Sequence, residues 1–75
     1  MTKQPGVGSA VYKVVEVIGT STQSWEDAAK NAVEKAGKTL RDLRVAEVVK
    51  TDMTVEGGKV QTFRTRVLLS FKYES

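Results

Sequence analysis

The chain has 75 residues, 12 basic and 9 acidic side chains and a formal charge of +3. It therefore makes one small domain, whose core contributes only about 3–5 kcal/mol unless something supplements it. It has no cysteine and no histidine. That excludes disulfides, thiolate zinc sites, cysteine nucleophiles, imidazole metal ligands and every histidine-based triad. Oligomerisation is left as the supplement to the core. The charges are interspersed, so no polyelectrolyte-binding tail is expected. No apolar run approaches the roughly 18 residues of a membrane span and no signal-peptide h-region is visible, which makes the cytoplasm the expected compartment.

Residues 1–10, MTKQPGVGSA, combine Pro5, Gly6 and Gly8 with small polar groups and read as a flexible arm; the remaining 11–75 form the domain. From Val11 to Ile18, VYKVVEVI is β-branched on both faces and stops at Gly19, which predicts a first strand covered on both sides. After a turn at residues 19–22, Trp25, Ala29, Ala32, Val33, Ala36, Leu40 and Leu43 recur at helical spacing and predict an amphipathic helix running to Leu43. Ser24 with Asp27 resembles a capping box, with Ser21 as the competing cap.

VAEVVKTDMTV predicts a second strand over residues 45–55, and Glu56-Gly57-Gly58-Lys59 supplies the positive-φ residues of a hairpin turn. These glycines lack the length and following helix of a phosphate-cradling loop. The third strand, VQTFRTRVLLSFKY, alternates: Phe63, Val67, Leu69, Phe71 and Tyr73 on one face, Arg64, Arg66, Ser70 and Lys72 on the other. One helix covers one face of a sheet, so Val15, Val17, Val48 and Leu68 cannot all lie beneath it. The uncovered apolar surface argues for self-association.

The segments VYKVVEVIGTS, SWEDAAKNAVEKAGKTLRDLRVAEVV and VLLSFKY resemble, in order and spacing, the dodecin family over about Val11 to Glu74. That resemblance implies an α+β protomer of β-α-β-β order, a three-stranded antiparallel sheet curled around one helix, and assembly into a hollow homododecamer. It also implies a non-enzymatic role in flavin (FMN or riboflavin) binding and buffering. Two positions depart from the flavin-binding pattern. Val45 stands where such dodecins carry a stacking tryptophan, and Arg64 where they carry a glutamine that both donates to and accepts from the flavin. Loss of the stack weakens each contact by roughly 5- to 150-fold, so flavin affinity is expected to be weak or absent.

The valine and the arginine resemble a calcium-dodecin subset, which makes a calcium-binding or purely structural shell the alternative. No EF-hand spacing links the acidic residues, so any ion site would be shared between subunits. Paired copies of Arg64 would favour an anionic ligand over a neutral ring. Trp25, in phase with Ala29 and Ala32, is expected to be a core or interface anchor. Arg41, Arg44, Arg64 and Arg66 with Phe63 have no accompanying nucleic-acid motif, and RNA is not expected as a partner.

Overall fold

A computed structural model describes residues 11–72; the expected arm at 1–10, Tyr73 and Glu74 lie outside them. The elements follow as β1 (Tyr12–Ser21), α1 (Trp25–Gly37), β2 (Leu43–Glu56) and β3 (Lys59–Lys72). The three strands form one antiparallel sheet in the order β1-β3-β2, so the last strand sits in the middle and the β2–β3 hairpin builds its longer half. Gly57 and Gly58 take φ of 59° and 77° at that hairpin, the left-handed values its turn demands.

Helix α1 begins where Ser24 Oγ accepts the Asp27 amide at 3.0 Å. Ser21 is not the cap: its hydroxyl accepts from the Gln23 amide at 2.8 Å and donates to the Asp27 carboxylate at 2.7 Å, bracing the entry turn. The helix ends at Gly37, six residues before the expected Leu43. Gly37 lowers the local helix propensity, and the Thr39 amide and hydroxyl both turn back onto the Ala36 carbonyl. Asp42 then reverses the chain at φ 57°. Leu40 and Leu43 still pack on the core, Leu40 from the loop after the helix and Leu43 from the first position of β2.

Strand β1 runs on to Ser21 instead of stopping at Ile18, with Gly19 paired to Thr65. Gly19 is required by space: a Cβ there would overlap the Ala28 carbonyl oxygen and lie 2.8 Å from Ala32 Cβ. The helix therefore rests directly on the sheet at this point. Ala32, Val67 and Leu69 form the buried centre, with Val15, Val17, Val33 and Ala36 packed around it.

Among the described residues only Ala28, Ala32, Val67 and Leu69 are buried hydrophobics. The helix lies chiefly over β1 and β3. Val48, though paired with Val67 on the helix side of the sheet, is 54% exposed. Leu68 lies on the other face, paired with Glu16 and Glu47. The apolar residues expected to exceed the reach of one helix thus divide as Val15 and Val17 beneath it, Val48 beside it and Leu68 behind it. The half-exposed valines of β2, which the helix scarcely covers, are an apolar surplus of the kind that favours association.

Candidate functional site

The face of the sheet turned away from α1 carries both positions singled out by sequence. On β3 it presents Arg64, Arg66, Leu68, Ser70 and Lys72, and on β1 it presents Tyr12, Val14, Glu16, Ile18 and Thr20. Strand β2 reaches this face by a change of parity. A register shift between Val48 and Lys50 leaves Val49 unpaired as a bulge. Before it, Val45 and Glu47 face away from the helix; after it, Lys50, Asp52 and Thr54 do. Without the bulge Asp52 would point to the helix side, and Met53 could not sit opposite Phe63.

Val45 lies opposite Ser70, in the same row as Val14, and is 54% exposed. Its nearest neighbours on this face, Ser70, Val14, Leu68, Glu47 and Lys72, include no aromatic ring. The aromatic groups are elsewhere: Trp25 packs edge-on against Phe63 on the helix side, with ring centroids 5.2 Å apart at 73°. Trp25 also donates its indole N–H to the Asp52 carbonyl oxygen at 2.9 Å and accepts the Thr65 hydroxyl on its own carbonyl at 2.8 Å. It anchors the start of the helix to the β2–β3 arm and is no platform for a ligand on the far face. Among the described residues, the one aromatic side chain on the helix-free face is Tyr12, a row beyond Val14 and across β3 from β2.

Arg64 lies opposite both Thr20 and Asp52. Its Nε and Nη2 donate to the two carboxylate oxygens of Asp52 at 2.7 and 2.8 Å, a two-pronged ion pair. The bulge is what sets Asp52 opposite Arg64; Glu47 lies opposite Leu68. Ile18, Lys50 and Arg66 join this pair around a shallow dimple, with Arg66 3.6 Å from Glu16. Sequence reasoning missed Asp52 and Lys50 because nothing in the alternation of β2 marks the bulge.

The hydrogen bonds from Arg64 hold the Asp52 carboxyl below its usual 3.8, helped by the charges of Arg64, Arg66 and Lys50 and opposed by desolvation. Arg64 is correspondingly raised by the bond to Asp52. A depressed carboxyl stabilises the fold above its unfolded-state value and loses that contribution as pH falls through its folded value. Denaturation followed by Trp25 emission should therefore show no change from this pair between neutrality and about pH 4, and a loss below it. Asp52→Asn should shrink that acid leg. An unchanged leg in the variant would assign it to other carboxylates.

Along β3, Arg64 and Ser70 are six residues apart, which places Arg64 and Val45 of one chain about 20 Å from each other at roughly 3.3 Å per residue. That exceeds the length of a three-ring isoalloxazine. One protomer does not offer both positions to one flavin, and neither position supplies a stacking surface. Among the described residues no three acidic side chains gather closely enough to hold a cation, and no helix is long and apolar enough to cross a membrane. An open groove of about 900 Å³ between α1 and the edge of β1 is lined by Val15, Val17, Ala36 and Leu40 and does not include Val45 or Arg64.

Comparison with known proteins gives a consistent picture. The family model described as Dodecin matches residues 11–74. Calcium dodecin of Mycobacterium tuberculosis is 46% identical over 63 residues, covering 84% of this chain and 89% of that protein. Dodecin of Thermus thermophilus is 36% identical over 64 residues, covering 85% and 93%. Among solved structures, dodecin from Streptomyces coelicolor superposes with a TM-score of 0.85 at 35% identity, covering 92% of this chain and 99% of that one. The calcium-chelating calcium dodecin of Mycobacterium tuberculosis, described with a novel calcium-binding site, superposes at 0.76 with 48% identity, covering 85% and 91%.

Proposed function

Because this chain belongs to the dodecin family, we propose that it works as a non-enzymatic homododecameric shell in the cytoplasm that binds or stores a small ligand, with little or no affinity for flavin. The observation that carries the reading is the helix-free face itself. Around Val45 it offers Ser70, Val14 and Leu68 but no aromatic partner, and at Arg64 two donors, from Nε and Nη2, are already given to Asp52. Stacking and edge recognition, the two interactions the family resemblance requires for flavin, both lack their groups.

Assembly is supported by the small number of buried apolar side chains and by the row of half-exposed Val45, Val49, Met53 and Val55 along β2. A closed shell covers that row; a lone protomer leaves it in water. Calcium is the second reading, favoured by the likeness to the calcium dodecin of Mycobacterium tuberculosis. Any such ion takes carboxylates from more than one chain, because the described part of one protomer brings no three together. It would then bind at fewer than one ion per chain.

Riboflavin and its phosphate titrated by fluorescence quenching against the purified oligomer, with mass by light scattering and calcium by elemental analysis on the same sample, test all of this. The expected result is a twelve-chain mass with no quenching at protein concentrations on the order of micromolar. Strong quenching would overturn the reading from Val45 and Arg64. Calcium retained through gel filtration would select the cation shell over an organic ligand.

A further inference from the structure

The helix-free face concentrates positive charge at one place. Lys50, Arg64 and Arg66 border the same dimple, Arg66 faces Glu16 at 3.6 Å, and Lys50 has no acidic partner among the described residues. Left to themselves, three cations around a concavity form a receptor for a phosphate-class anion. One feature opposes that. The Asp52 carboxylate occupies the Nε/Nη2 edge of Arg64, one of the two edges by which a guanidinium takes a two-pronged anion, and sets a full negative charge beside the cluster.

We propose that Asp52 is a built-in counter-anion that determines the charge class of ligand this face accepts, closing the Lys50–Arg64–Arg66 cluster to phosphate-bearing molecules while leaving it open to neutral or cationic ones. This rests on the reading of the helix-free face as the ligand face and adds its selectivity. The physical basis is competition. A carboxylate and a phosphate address a guanidinium by the same two-pronged geometry. Asp52 is held opposite Arg64 by the strand register, so it competes at an effective concentration that a free ligand at ordinary levels does not match.

Two arrangements keep the competitor in place. The Val49 bulge turns Asp52 onto the same face as Arg64, and the indole N–H of Trp25 holds the main-chain carbonyl of residue 52 from the opposite side of the sheet. The carboxylate is thus presented to Arg64 by backbone geometry, and the tryptophan contact does not depend on it. That separation provides an internal check on folding, since Asp52→Asn keeps the group to which Trp25 donates.

The test is calorimetric titration of inorganic pyrophosphate into the intact oligomer. Asp52→Asn should bind at least about tenfold more tightly than the natural chain, and Asp52→Asn with Arg64→Gln should lose that gain. Trp25 emission should be the same in all three. Equal affinity of Asp52→Asn and the natural chain overturns the proposal. Arg64→Gln alone supplies an arm that holds even if Asp52→Asn fails to assemble. Because it leaves the Asp52 charge in place without its partner, this change should not tighten pyrophosphate binding, and a roughly tenfold gain overturns the proposal. Flavin quenching by the natural oligomer would refute the flavin-free reading without touching this result, so the two fail separately.

Discussion

Gly19→Val is expected to yield no assembled oligomer, and Gly19→Ala an oligomer of markedly lower melting temperature if any. A first side-chain carbon at this position overlaps the Ala28 carbonyl oxygen and approaches Ala32 Cβ at 2.8 Å. Neither neighbour can withdraw. Ala28 and Ala32 are buried on the inner face of α1, and Gly19 is paired with Thr65 in the body of the sheet. Relief requires the helix to lift from the strand, which opens the packing over Val67 and Leu69. Overfilling a packed core costs typically 1–3 kcal/mol, so about 3 kcal/mol is expected where main chain must move. A domain of this size has about 3–5 kcal/mol to lose.

Circular dichroism melting with light scattering checks this, and Gly58→Ala is the control. Gly58 has φ 77° but nothing within 4 Å of its would-be Cβ, so alanine there strains only the turn, by about 1 kcal/mol. If Gly19→Ala and Gly58→Ala melt alike, the direct contact of helix and sheet is not what Gly19 provides.

The same glycine shows where the sequence was readable and where it was not. As a break after a β-branched run, Gly19 suggested the end of β1; its real requirement comes from Ala28 and Ala32, residues the chain reaches only after a turn. Signals that act within a few residues were legible: the Ser24–Asp27 cap, the Gly57-Gly58 hairpin, the alternation of β3. The helix end was not, because Leu40 and Leu43 keep the spacing of a helix face while reaching the core from a loop and from the first residue of β2. A buried side chain records where it goes, and several backbone paths lead there.

The bulge at Val49 had the largest consequence for the site. Strict alternation through VAEVVKTDM sends Val45 and Asp52 to opposite faces, so the partner of Arg64 could not be found by counting. The expectation that paired arginines would attract an anion followed from that omission. With Asp52 in the fork, the same residues argue for exclusion. Val45 and Arg64 themselves were singled out by family likeness, since an exposed valine and a strand arginine carry no chemical mark of their own. The expectation of other chains, by contrast, was drawn from the number of apolar faces against a single helix, and the half-exposed valines of β2 are the surplus it counted.

Val45→Trp combined with Arg64→Gln is expected to create a flavin-binding oligomer. Val45 has room for an indole: it is half exposed, its cross-strand neighbour is Ser70, and Val14 stands beyond it. Stacking one ring contributes roughly 1–3 kcal/mol, a gain of about 5- to 150-fold for each tryptophan that meets the ligand. Arg64→Gln replaces donors committed to Asp52 by an amide that both donates and accepts. Because the ion pair it removes is solvent-exposed, assembly should survive.

About 20 Å separates the two positions within a protomer, so the glutamine and the tryptophan meet one flavin only from different chains. Riboflavin quenching should then be strongest for the double variant, clear for Val45→Trp and absent for Arg64→Gln alone. It should also disappear when the oligomer is dissociated. A double variant that quenches no better than the natural chain would mean that Val45 does not border the ligand face. Quenching that persists in a dissociated protomer would mean that a single chain holds the ring, contrary to the spacing along β3.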